Sequence, residues 1–194
     1  MKRDIILAGV GGQGILTIAA AIGTAALNKD YFIKQAEVHG MSQRGGDVQS
    51  NLRISDKPIH SDLITQGGAD IILSVEPMEA LRYLPFLSPT GYVITNIKPY
   101  KNIDNYPDEE DIMESINQIN NKVAINANKI AKEDIKSARA SNIVMLGAAA
   151  PFLGFELQDL ETAIKQLFGR KGEKIVDMNI KALHAGNSFA MENR

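Results

Sequence analysis

Between an apolar run, Ile5 to Ala8, and a helical pattern that starts at Ile15 stands Gly9-Val10-Gly11-Gly12-Gln13-Gly14. A strand that feeds a glycine-rich turn and then a helix is a shape that holds phosphates. The glycines let the backbone turn sharply and come close, and the first helical N–H groups point at the anion. Gly9, Gly11 and Gly14 fit the dinucleotide spacing G-x-G-x-x-G in its expected place after a first strand. The same turn would also serve close helix–sheet packing, but Gly12 adds a side-chain-free position beyond what packing needs.

The chain around the turn predicts a single α/β domain spanning residues 1–194. Its sheet should be mostly parallel and flanked by helices, with a Rossmann-like start and a helical C-terminal third. Asp4 to Gly9 reads as a strand covered on both faces. Ile15 to Leu27 is rich in alanine and suits a helix lying close on a sheet, and Tyr31 to Val38 completes a β–turn–α–β unit. Asp47 to Ile54 alternates Val48, Leu52 and Ile54 with Gln49 and Arg53, which suits a half-exposed or edge strand. Ile59-His60-Ser61 is a candidate short partner for it.

Further strands are expected over Ala69 to Val75, Gly91 to Asn96 and Val123 to Ile125. Helices are expected from Glu76-Pro77 to about Tyr83, over Asp108 to Ile119 and over Asn126 to Ile135. Ser141 to Leu153 is apolar nearly all round and belongs in a core or under a partner. Leu157 to Phe168 and Lys171 to about His184 close the chain as helices.

The bulk numbers remove several classes of function. Twenty-one basic and 23 acidic residues give a net charge of −2, with no footprint for nucleic acid. The chain has no cysteine, which excludes disulfides and thiolate ligation of zinc or an iron–sulfur cluster by this chain alone. Met1-Lys2-Arg3-Asp4 runs straight into a strand without a signal-peptide core, and no apolar run reaches membrane-spanning length. The expectation is a soluble cytoplasmic protein without a membrane partner.

A second signal is the polar loop His39-Gly40-Met41-Ser42-Gln43-Arg44-Gly45-Gly46. Arg44 beside Gly45-Gly46 sets a guanidinium next to backbone N–H groups able to form an anion-binding concavity. Met41 in such a loop suggests a contact surface. Glu37, at the end of the second strand, stands where a dinucleotide site wants a carboxylate for the ribose. A stand-alone NAD-binding oxidoreductase therefore stays open, as does a packing scaffold that binds nothing. His39, His60 and His184 are too scattered for a metal site, and no serine sits in a Gly-x-Ser-x-Gly elbow. No catalytic residues and no metal ligands are expected.

With both loops read, the sequence resembles the gamma-type subunits of 2-oxoacid:ferredoxin oxidoreductases, and within them most of all the beta subunits of indolepyruvate ferredoxin oxidoreductases. The match is carried by Gly9-Val-Gly-Gly-Gln-Gly-Ile15 and by Glu37-Val-His-Gly-Met-Ser-Gln-Arg-Gly-Gly46. Lys57-Pro-Ile-His-Ser61, Ala69-Asp70 and Asn142-Ile-Val-Met-Leu-Gly147 support it. The resemblance implies a non-redox subunit, inactive alone. Thiamine diphosphate and iron–sulfur clusters would then sit in a large alpha subunit that passes electrons to ferredoxin during decarboxylation of an aryl pyruvate to an acyl-CoA. It also implies that Gly9, Gly11, Gly12, Gln13 and Gly14 help hold coenzyme A. Glu37, His39, Met41, Ser42, Gln43, Arg44, Gly45 and Gly46 would line the shared site or the subunit interface.

Overall fold

The computed structural model describes residues 1–40, 46–101 and 103–193. Its first strand, β1 (Lys2–Val10), is buried from Asp4 onward, because both of its faces are covered. Five more strands, β2 (Phe32–His39), β3 (Asp47–Ser55), β4 (Ala69–Ser74), β5 (Leu87–Asn96) and β6 (Lys122–Ile125), complete a sheet of order β2-β3-β1-β4-β5-β6. β1, β4, β5 and β6 pair parallel to one another, while β3 runs antiparallel to both β1 and β2. The expected mostly parallel α/β domain is the one observed.

β3 departs from the expectation of an edge strand, since it lies between β1 and β2. Of the two polar residues that suggested an exposed face, Gln49 and Arg53, the second finds its partners inside the fold, and so do Asn51 and Ser50 on the same strand. Arg53 grips Asp4 with Nε at 2.7 Å and Nη2 at 3.0 Å, and its Nη1 donates to the Ser61 and Leu63 carbonyls. Asn51 accepts the Ile64 N–H at 3.1 Å, and Ser50 accepts from Gln35 at 3.0 Å. Those bonds hold the segment around Ile59-His60-Ser61 as irregular chain, where a short strand was expected. The insertion also moves β2 two strand spacings from β1, roughly 10 Å, so the β–turn–α–β unit is split by a strand that follows it.

Helices α1 (Ile15–Leu27), α2 (Pro77–Arg82), α3 (Glu109–Asn117), α4 (Ala127–Glu133), α5 (Ser141–Leu153), α6 (Leu157–Phe168) and α7 (Glu173–Asn193) flank the sheet. α1 and α5 to α7 share a core with the face carrying Ile5, Leu7, Ile71, Leu73 and Ile94. α2 covers the opposite face through Ile6, Ala8, Ile72 and Val93. α5 is buried on nearly every side, with Ile143 to Ala150 and Leu153 all inaccessible, which makes it core. Its outer side meets α7 at backbone distance. A methyl group on Gly147 would overlap the Leu183 carbonyl, and one on Gly186 would overlap that of Val144. That tertiary contact carries α7 through Gly186 to Asn193, past the expected end near His184. No helix among the described residues is long and apolar enough to cross a membrane.

Two outcomes follow from these contacts. Gly186→Ala should lower stability by about 1–3 kcal/mol through overpacking, whereas Gly169→Ala, which points into open space, should not; thermal melting of the two variants compares them directly. Burial pushes the Asp4 carboxyl up, but hydrogen bonds from Arg53 and Lys2 together outweigh it and leave its pKa below the ordinary value. Asp4 thus adds stability that is full above about pH 4 and is lost as the pH falls through its lowered value. Denaturation of Asp4→Asn should accordingly show a flatter acid limb.

Candidate functional site

The turn is closed by one side chain. Gln13 accepts the Val10 N–H through Oε1 at 2.8 Å, while its own N–H donates to the Val10 carbonyl at 3.2 Å. Gly14 then starts α1 with φ +82°, a left-handed conformation that favours glycine. Its carbonyl receives the Thr17 and Ile18 amides, and no side chain caps the first turn. The amides there stay pointed outward, as an anion-binding helix start requires.

The turn borders a cavity of about 360 Å³ lined by Gly12, Gln13, Gly14, Val75, Asn96, Tyr100, Asn128, Ala138, Arg139, Ser141, Asn142 and Met145. Topology places it there. The chain leaves β1 through α1 on one face of the sheet and leaves β4 through α2 on the other, so a crevice opens at the carboxyl ends of these neighbours. Buried Asn96 ties the floor together. Its Nδ2 donates to the Val75 carbonyl at 3.2 Å and to Asn128 at 2.8 Å, and its Oδ1 accepts the Ala127 N–H at 3.2 Å. Asn142 reaches from α5 to donate to the Gly14 carbonyl at 3.3 Å.

The electrostatics favour an anion. α5, like α1, begins at the cavity without a side-chain cap, so the positive ends of two helices converge. Arg139 stands in the 3-10 turn Ala138–Ala140 just before α5, exposed and without an ion pair among the described residues. It is the single formal charge among the described residues of the lining. Carboxylates gather instead on the α2 side of the sheet. There burial lifts Glu79 despite Arg82 at 2.8 Å. Burial, with Asp47 and Glu79 nearby, also pushes the Tyr83 hydroxyl up to about 12.

Of the residues singled out by sequence, Gly12, Gln13 and Gly14 line the cavity. Gly9 lies inside β1, packed against Val75, and the Gly11 N–H donates to the Gly46 carbonyl at 2.9 Å. That bond joins the two glycine-bearing loops. Glu37 pairs with Ser50, which pairs with Leu7, so it lies two strands across from β1 and short of the turn. His39 ends β2 opposite Val48. Met41, Ser42, Gln43, Arg44 and Gly45 lie outside the described residues. His184 meets Glu161 at 2.7 Å, and no group of His, Asp and Glu among the described residues is arranged to hold a metal.

Sequence reading missed Asn96, Tyr100, Asn128, Arg139 and Asn142. The available signals were an asparagine closing a buried strand and the polar lead Ser-Ala-Arg-Ala-Ser-Asn into an otherwise apolar helix.

A family model described as pyruvate ferredoxin/flavodoxin oxidoreductase matches residues 4–189. The indolepyruvate oxidoreductase subunit IorB of Archaeoglobus fulgidus is 36% identical over 100% of this chain and 98% of its own. That of Methanothermobacter thermautotrophicus is 37% identical over 100% of both. Among solved structures, the 2-oxoglutarate:ferredoxin oxidoreductase of Magnetococcus marinus, solved with 2-oxoglutarate, coenzyme A and succinyl-CoA bound, matches all of this chain with a TM-score of 0.78 at 22% identity. This chain spans 32% of that one, so the likeness concerns the fold of about a third of a longer polypeptide.

Closure of the turn is testable without any ligand. Gln13→Ala leaves the buried Val10 N–H without its acceptor and should lower stability by about 1–3 kcal/mol. Gln13→Glu keeps the acceptor and should lose little; urea denaturation separates the two.

Proposed function

The chain belongs to the pyruvate ferredoxin/flavodoxin oxidoreductase family, and on that premise we propose that it is the non-redox, gamma-type subunit of an indolepyruvate ferredoxin oxidoreductase whose cavity takes the phosphates of coenzyme A. One observation carries the reading. A glycine turn, two uncapped helix starts and an arginine without an ion pair among the described residues converge on one cavity whose described lining carries no carboxylate. This donor set suits a diphosphate, with amides and a guanidinium as charge-assisted donors.

The relatives IorB are named as subunits of indolepyruvate oxidoreductases, and the division of labour in this reading is the one the family resemblance implies: thiamine diphosphate and the iron–sulfur clusters lie in a large alpha subunit, through which electrons reach ferredoxin. The missing cysteines agree with it, since this chain offers no thiolate to an iron–sulfur cluster. The work left to this chain is binding and orientation. Fixing the phosphate end of coenzyme A makes its encounter with the partner's bound substrate effectively intramolecular, and the chain alone has no turnover. Met41, Ser42, Gln43, Arg44 and Gly45 belong in this reading to the rim that meets the partner, with Glu37 and His39 on the strand leading to it.

The NAD alternative loses support, because Glu37 stands about 10 Å across the sheet from the strand that feeds the turn. The scaffold alternative does not account for an arginine placed at two helix starts.

The test is anaerobic co-expression with the alpha subunit, followed by indolepyruvate- and CoA-dependent reduction of a viologen dye. Omission of this chain should abolish turnover. In the complex, Arg139→Ala should raise the KM for CoA about tenfold or more, as expected for one lost charge-assisted bond, with kcat at saturation little changed. An unaltered KM would remove the proposed role of the cavity.

A further inference from the structure

At about 360 Å³ the cavity is at the low end of the roughly 300–1,000 Å³ range of small-molecule sites. It suits one end of a coenzyme A molecule. Its anion-suited wall is formed by Gly12 to Gly14 and Arg139, while another part is the side chain of Tyr100, which is 46% exposed. An aromatic ring left in solvent beside a phosphate cradle needs a reason, and its backbone supplies a second observation.

The segment bearing Tyr100 has no regular structure, yet it is tethered at Tyr100 itself and two residues before it. Asn96 Oδ1 accepts the Lys98 N–H at 3.4 Å, and Glu76 Oε1 accepts the Tyr100 N–H at 3.2 Å. Glu76 is completely buried at the start of α2. Its other bonds come from the Glu79 N–H at 2.9 Å and from the Tyr106 hydroxyl, which burial and Glu76 together make much less acidic than usual. All three donors are neutral. Among the described residues Glu76 makes no ion pair, so it is a costly group to bury. What it does structurally is fix the backbone of Tyr100 while leaving the ring free.

We propose that Tyr100 is the platform on which the purine ring of the bound nucleotide end stacks, and that Glu76 is the positioning residue that holds the platform at the cavity mouth. The inference rests on the coenzyme A reading and specifies which end of the molecule the cavity takes. Stacking uses the π-face of a base and reads no hydrogen-bonding edge, so the site selects a purine nucleotide by shape and phosphate.

ADP and inorganic pyrophosphate, used as inhibitors competitive with CoA in the assembled complex, separate the parts. Tyr100→Leu should raise the inhibition constant of ADP about tenfold and leave that of pyrophosphate unchanged, while Tyr100→Phe should match the unmodified protein. Glu76→Leu, which removes the acceptor of the Tyr100 N–H, should reproduce the Tyr100→Leu pattern, while Glu76→Gln, which keeps an oxygen there, should lie close to the unmodified protein. Arg139→Ala should weaken both inhibitors.

If Tyr100→Leu weakens both inhibitors equally, the ring shapes the anion site and the stacking proposal is overturned. If it weakens neither while Arg139→Ala weakens both, the coenzyme A reading stands and the platform is wrong. Insensitivity to Arg139→Ala would remove the anion site and the platform with it. A Glu76→Leu complex with unchanged ADP inhibition, beside a responsive Tyr100→Leu, would overturn the positioning role alone.

Discussion

A helix with no polar side must be covered all the way round, and α5 is that helix. The sheet takes one side, and α7 takes the other at a distance set by Gly147 and Gly186. With α5 held in this way, its first turn has one place to go, against the carbonyl of Gly14 through Asn142. The site is thus a by-product of packing. Two helix starts face each other because a core element cannot shift without exposing Ile143 to Leu153 or driving backbone into backbone.

The second constraint is topological. β3 turns a simple crossover into a split one and brings Gly46 within hydrogen-bonding reach of Gly11. The glycine turn and the described end of the second distinctive segment, Gly46, are therefore joined in space. The same insertion gives up the ribose-binding position of an ordinary dinucleotide fold, because the strand bearing Glu37 no longer lies beside β1. A glycine fingerprint alone does not specify its ligand; the strand next to it does much of the selecting.

Legibility followed the range of the interactions involved. α5 and α6 begin and end at the residues read from the sequence, Ser141–Leu153 and Leu157–Phe168, because their apolar patterns and flanking polar residues are local signals. The edge alternative for β3 misled because Arg53 looks solvent-facing until Asp4 and the Ser61 and Leu63 carbonyls arrive from other parts of the chain. The end of α7 misled because a glycine that weakens a helix locally was placed there for contact with α5. In the site, Gly12, Gln13 and Gly14 could be read from one contiguous turn. Asn96, Asn128 and Arg139 could not, since each ends or follows a different element and only the sheet order brings them together.

The sheet order also sets a schedule. β1 is made before both of its neighbours, β3 (Asp47–Ser55) and β4 (Ala69–Ser74), and the helices that cover it on one face include α5, more than a hundred residues later. Its strand partners are in place once residue 74 is made, but one face of β1 stays incompletely covered until α5 follows, and apolar surface exposed at that stage invites misassembly. A nascent chain of this design has a built-in need for shielding until its C-terminal half is made. Its vulnerability to aggregation is a matter of timing in translation as much as of final stability.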